Sequence, residues 1–423
     1  MRYLICFFIF FVYNFSLSFK FFPIPTRYFF VLVGMYGLFK GYKKLRLTKG
    51  HKRGWTSLLR GVIFLWAIAL FSALVNAYFD PHFFKYPVSI VLSLLSAYGV
   101  LVLFSYILKK EITQKLLLQM FVFTSLFQCV FSMFLFLTPS VKNIAFGLLS
   151  VSEAYEANID HMIDGTVRVL SYGAGFFVAG ITFALSLLFV AILYNSEEKG
   201  YMKLIYIVSA LLISMIGSTI SRTTLVGLPG FIVILLHSKV IKFSTIIKTG
   251  SLLAIVVISG ISMFSKHIEG NSVFGQVFDR AFSIFYIYKE TGTLQSTDSM
   301  TGSALYPDNT KTWVIGDGKM ADPYNTDNTQ LSYYKHVDIG LCRVLWGIGL
   351  LGFIAYSLVQ LSLCRLCYLG RFESFVLFMY YIIFMLKGIV TLDVCISIFM
   401  MYHVYYNMQT NKRISSRHCF SQN

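Results

Sequence analysis

Charged residues are scarce in this chain. They make up 13% of its 423 residues, about half of the roughly 25% usual for soluble domains. A soluble fold with that balance has too little polar surface, which excludes an ordinary globular enzyme or secreted module. Acid is rarer than base, with 19 Asp and Glu against 36 Lys and Arg. The resulting charge of +17 gathers in short connectors between apolar runs, a pattern of membrane topology rather than of nucleic-acid binding. Cysteine is sparse too: the 7 residues lie mostly inside apolar runs, where Cys behaves as a small hydrophobe. Cys364 and Cys367 form a C-x-x-C, but no second Cys or His pair stands nearby to complete a tetrahedral metal site. There is no Walker loop, no G-x-G-x-x-G opening a helix, no H-E-x-x-H and no D-x-D. ATP-driven or metal-cradled chemistry is therefore not indicated, and no cofactor or metal is expected.

What fills the chain is apolar: 57% hydrophobic, 17% aromatic, mean hydropathy +0.69. Such a composition describes a polytopic integral membrane protein. About 12 spans are expected: Tyr3–Leu17, Tyr28–Phe39, Leu58–Tyr78, Val88–Leu108, Leu116–Leu137, Val169–Tyr194, Met202–Ser218, Thr223–Leu236, Thr249–Phe264, Leu341–Leu363, Phe375–Val390 and Val394–Tyr406. The first run resembles a signal peptide but lacks an A-x-A-like cleavage site, and it is read as a retained span. Met202–Leu236 is one apolar run, which as a single helix would reach roughly 50 Å, against a hydrocarbon core of about 30 Å. Two helices with the polar IGSTISRTT at their turn fit better. The segment Lys40–Gly54 is the most basic of the chain. It reads as a topogenic signal, with a lipid-headgroup patch as the alternative. Well over half of the Lys and Arg fall on that side, which places both termini in the cytoplasm and the longest connector outside. The chain thus divides into 1–264 with nine spans, a large external (periplasmic) loop at 265–340, and 341–423 with three spans and a basic tail.

Polar residues cluster on the outer side in this topology. Arg168 opens the sixth span, Arg222 sits in the turn ISRTT, and Arg280 lies in the first part of the loop. His336, Asp338 and Arg343 form the loop's exit, KHVDIGLCR, while Lys387 and Asp393 flank the end of the eleventh span. An arginine in or beside a span costs at least about 2.5 kcal/mol unless it is paired or faces water. Recurrence at one depth favours a shared polyanionic ligand, and guanidinium forks match phosphate oxygens. The bland readings are snorkelling for Arg168 and Arg343, a simple loop histidine for His336, and either snorkelling or a pair with Asp393 for Lys387.

These segments resemble a known family. DIGLCRVLWGIGLLG, Asp338–Gly352, is similar to the signature that follows the large periplasmic loop of bacterial O-antigen and capsule repeat-unit polymerases, the Wzy polymerases. VIGDG, Val314–Gly318, resembles the G-x-G segment preceding it in that loop. ISRTTLVGL, Ile220–Leu228, resembles a helix start shared with the O-antigen ligases, and GTVRVLSYGAG resembles the arginine-led span before it. The resemblance covers roughly Gly165–Gly352 and the span plan. It implies an all-α, lipid-phosphate-sugar glycosyltransferase-like (GT-C-type) architecture in the bacterial inner membrane, and an inverting, metal-independent transfer. Two undecaprenyl-diphosphate-linked oligosaccharides would meet, and the growing chain would pass onto the new unit. It implies His336 or Asp338 as general base, and Arg168, Arg222, Arg280 and Arg343 with Gly316 and Gly318 as the diphosphate and substrate site. Membrane lipids are expected partners and nucleic acid is not; the family leaves room for a chain-length regulator and a flippase. The histidine in HVD is closer to the ligases, so a ligase acting on lipid A-core stays open beside the polymerase. A lipid-linked oligosaccharide flippase is the alternative of another class, against which stands the lack of internal repeats. A purely structural role leaves the buried Arg222 unexplained. Trp313, Tyr324, Tyr333 and Tyr334 are candidates for stacking on sugars.

Overall fold

The computed structural model describes residues 1–22, 24–41, 49–150, 169–238, 306–320, 334–337 and 339–420. The expected span at Thr249–Phe264 and the candidate residues Arg168, Arg280, Asp338, Tyr324 and Tyr333 lie outside them. The described chain is helical, with no strand and a single isolated bridge between Phe19 and Leu149. Among the described residues six helices are long and apolar enough to cross a membrane, so this is an all-α, membrane-embedded protein. It divides into two compact units.

The first unit comprises residues 1–14, 24–114 and 296–423. It holds α1 (Arg2–Asn14), α2 (Thr26–Gly41), α3 (Lys49–Val75) and α4 (His82–Leu108) from the first half of the chain. The short α10 (Thr310–Ile315), then α11 (Gly340–Leu366), α12 (Arg371–Met385) and α13 (Asp393–Phe420) complete it. Without a hydrophobic drive between helices in lipid, close approach rests on small residues. Here α2 and α4 touch backbone to backbone: a Cβ on Gly34 would fall 2.0 Å from Leu95 O, and one on Gly99 would fall 2.0 Å from Phe30 O. The pair α3 and α11 runs antiparallel, with Ser57 meeting Ser362, Gly61 meeting Val359 and Ser72 meeting Gly347.

Between α12 and α13 the chain leaves the helix at Leu386 and returns at Asp393. Backbone groups freed inside a bilayer must find partners. Tyr356 Oη donates to Val390 O, and Gln360 Oε1 accepts from Leu392 N at 3.2 Å. Asp393, fully buried, accepts from Ser93 Oγ at 2.8 Å, and Ser93 in turn accepts from Arg27 at 2.7 Å. The charge behind Asp393 is therefore Arg27, where a pair with Lys387 was one of the two readings of the sequence.

The second unit comprises residues 15–23 and 115–295. It is built on α5 (Gln114–Leu137), the amphipathic α6 (Pro139–Gly147), α7 (Phe176–Ser196), α8 (Gly200–Ile220) and α9 (Gly227–His237). α7 is apolar on every side and 78% of its apolar window is buried, the mark of a central helix. Expected and observed boundaries differ here. The sixth span begins at Phe176, not Val169, because Gly173 turns through a positive φ of 77° and Gly175 precedes the helix. Gln128, buried on α5, donates to Ser171 Oγ and Tyr172 O, which holds this irregular segment. The long run Met202–Leu236 does break at Ser221, as its polar turn suggested. α8 ends there, a short 3-10 turn covers Arg222–Val226, and α9 returns parallel to α7.

Candidate functional site

In the first unit α11 is not continuous. Gly349 takes φ 67°, ψ −170° inside the helix, and a Cβ there would stand 2.3 Å from the Val314 carbonyl. Only glycine tolerates both the conformation and the approach. The break releases carbonyls that a helix would have bonded, and the loop segment 306–320 takes them. Asp317 N donates to Trp346 O at 2.7 Å, and Gly318 N donates to Gly347 O at 2.9 Å. Gly316, at φ 81°, lies against Gly347 so closely that a Cβ would be 2.5 Å from its carbonyl carbon. The two glycines singled out in VIGDG thus clasp the loop onto a membrane helix.

Side chains complete the clasp. Asp317 accepts from Thr312 Oγ1 at 2.7 Å and from Tyr334 Oη at 3.2 Å. Asn309 caps α10 by accepting from Thr312 N. From the end of α3 comes a polar row that the sequence reading missed, although Ser72, Asn76 and Asp80 recur at four-residue spacing after an apolar run. Ser72 Oγ donates to Gly347 O, and Asn76 Nδ2 donates to Gly316 O at 3.0 Å. Asp80 accepts from Met320 N at 2.8 Å and from His82 N at 2.9 Å.

Cations collect on this clasped loop. Lys319 Nζ lies over the rings of Tyr78 and Tyr334 at 5.4 and 5.6 Å from their centroids. Lys335 Nζ lies over Tyr334 and Trp346 at 5.7 and 5.5 Å. Lys335 reaches that position from a left-handed backbone, φ 59°, which costs a non-glycine residue about 1 kcal/mol. Tyr334 and Trp346 meet edge to face above a small core of Val337 and Cys342. Neither Lys319 nor Lys335 has an acidic partner among the described residues. Arg343, half-buried on the first turn of α11, is within electrostatic reach of His82, as are Asp80 and Lys85. His336 closes the short 3-10 turn Tyr334–His336. Tyr306 and Trp313, both exposed, stack in parallel with centroids 5.9 Å apart and planes within 6°.

Of the sequence candidates, then, the structure brings Gly316, Gly318, His336 and Arg343 to one end of the first unit. It adds Lys319, Lys335, Asp80 and His82. The signals for these were a DPH turn between two apolar runs, a lysine directly after the GDG turn and a lysine directly after Tyr333 and Tyr334. Arg222 belongs to the second unit. It is half-buried at the head of its 3-10 turn, among the buried Ser221, Thr223 and Thr224. Gly180 of α7 admits this turn: a Cβ there would meet Ser221 Oγ at 2.4 Å. No group of three His, Cys, Asp or Glu able to hold a metal occurs among the described residues.

No protein-family model matches this chain. No curated protein matches it either.

Proposed function

We propose that the protein is a repeat-unit polymerase of surface polysaccharide, acting on undecaprenyl-diphosphate-linked oligosaccharides at the outer face of the inner membrane. The observation that carries the reading lies in the segments 306–320 and 334–335. They present two ammonium groups, Lys319 and Lys335, with no acidic partner among the described residues, and an exposed stacked aromatic pair, Tyr306 and Trp313, on a support clasped to membrane helices. Cations suit a diphosphate, flat aromatic faces suit sugar rings, and the lipid tail requires the bilayer at the same place.

In the proposed reaction an acceptor sugar hydroxyl attacks the anomeric carbon of the growing chain. A new C–O bond forms there as the bond to the lipid diphosphate breaks. The diphosphate departs with the electron pair, and the hydroxyl proton passes to a base. A hydroxyl with a pKa far above 7 needs such a base; His336 and Asp338 are the candidates from the chain's exit segment, and His82 beside Asp80 is a further imidazole at this end. The leaving diphosphate is already anionic, so preorganised cations aid departure more than an acid does. Lys319, Lys335 and Arg343 take that role in the first unit, and Arg222, with Arg168 and Arg280, is assigned to diphosphate in the second. The proposal includes about 12 spans, a GT-C-type plan, cytoplasmic termini and a metal-independent transfer.

The test is the surface-glycan profile of cells lacking this gene, complemented with wild type, Lys319→Ala/Lys335→Ala or Arg222→Ala. A collapse of the ladder to single repeat units that still reach the surface, rescued by wild type alone, supports the polymerase. Long lipid-linked chains accumulating outside would identify the ligase, and units trapped inside a flippase.

A further inference from the structure

The antiparallel pair α3 and α11 has a second polar end. The candidate site sits where Ser72 meets Gly347; fifteen residues back along α3, roughly 22 Å at helical rise, Ser57 meets Ser362 at 3.1 Å. The helix here begins at Lys49 rather than at Leu58, so basic residues expected in a connector instead stand on a helix face. A cleft of about 700 Å³ opens between the two helices. Lys52, Arg53 and Arg60 line it with the hydroxyls of Thr56, Ser57 and Ser362. No acid lines it, and none of the three cations has an acidic partner among the described residues.

The cleft is also graded along its length. Arg53, Ser57, Arg60 and Phe64 follow one stripe of α3, and Leu358 faces them from α11. Phe64 and Leu358 are exposed, each 44%. Gly61 lets the helices close to contact below, since a Cβ there would lie 3.2 Å from Val359 Cγ2. Cations and hydroxyls at the mouth thus pass within two turns to an apolar wall inside the span. A soluble anion uses only the first part. A phospholipid uses both: phosphate on the guanidinium groups and acyl chain along Phe64 and Leu358.

We propose that this cleft is a binding site for an anionic phospholipid of the membrane leaflet at the basic end of the protein. Phosphatidylglycerol is the probe. The full-length protein in mild detergent is titrated with it and with phosphatidylcholine of the same chains, and retained lipid is read by native mass spectrometry. Wild type is expected to retain one phosphatidylglycerol in preference to phosphatidylcholine. Arg53→Gln/Arg60→Gln, with an unchanged thermal unfolding profile, is expected to weaken that affinity by about tenfold. Lys109→Gln/Lys110→Gln removes equal charge elsewhere in the unit and leaves it unchanged. Phe64→Ser weakens the lipid while sparing competition by glycerophosphoglycerol. Wild-type retention by the double arginine variant overturns the proposal, as does equal loss in the lysine control. Displacement by glycerophosphoglycerol at the lipid's own effective concentration also overturns it, in favour of a soluble-phosphate site.

Discussion

Single residues at the helix break decide whether the loop is held. Gly349→Ala places a Cβ against the Val314 carbonyl at a positive φ, a cost of about 1–3 kcal/mol from backbone strain alone. The expected outcome is proteolysis within 306–320 while the long helices stay protected, read by limited digestion and peptide mapping. Asp393 makes a different claim. It is wholly buried and accepts from Ser93, which in turn accepts from the half-buried Arg27, and leaving a buried donor without its acceptor costs about 1–3 kcal/mol. Asp393→Ala should therefore lower the thermal midpoint, and Asp393→Asn, which keeps an acceptor for Ser93 Oγ, should lower it less. In the second unit Lys115 donates to Glu197 at 2.8 Å, holding that carboxyl below the usual carboxylate range. A depressed folded pKa stabilises above the unfolded value and is lost as pH falls through the folded one. Glu197→Gln should thus show a flatter acid-stability curve than wild type below the ordinary carboxylate range, the two curves converging at the acid end. Gly316 and Gly318 were legible as a motif; their contact with Gly347 was not, because it depends on a partner thirty residues away.

At the scale of elements, the apolar runs were readable because hydrocarbon imposes length and composition on any span. The break at Ser221 was readable for the same reason, since a single helix through Met202–Leu236 would overrun the bilayer. The start of α3 was not, because Lys52 and Arg53 are strong helix formers whose charge alone suggested a connector. Nor was the interruption of α11. GIGLLG reads as small-residue helix, and its opening follows from the loop backbone that docks there, a tertiary cause. The clasp depends on the row Ser72, Asn76 and Asp80. Asn76→Ala strips the donor from Gly316 O, and about 1–3 kcal/mol is expected to be lost from docking, measured as faster hydrogen exchange at Asp317 and Gly318 with α3 itself unaffected. Packing between α2 and α4 makes a parallel prediction. Gly99→Leu cannot be accommodated beside Phe30 O, and full-length protein carrying it should fail to yield a monodisperse, helical preparation.

For the molecule as a whole, composition identified a membrane protein, and six long apolar helices agree. Two compact units could not be read from the chain, since residues 296–423 pack with 24–114 across the segment between them. The proposed topology puts the two ends of the α3 and α11 pair on opposite sides of the bilayer. Lys311→Cys should react with an impermeant maleimide in intact cells, and Lys52→Cys only after permeabilisation. The opposite pattern would invert the protein and remove the candidate site from the outer face. The most direct measurement of the central claim is polymerisation in vitro: purified full-length protein in liposomes is given undecaprenyl-diphosphate-linked repeat units, and the products are resolved by length. The account predicts a ladder of lengthening lipid-linked chains with release of undecaprenyl diphosphate, abolished in Lys319→Ala/Lys335→Ala at unchanged folding. Wild-type protein that leaves every unit at its starting length, or a double variant that polymerises normally, would contradict it.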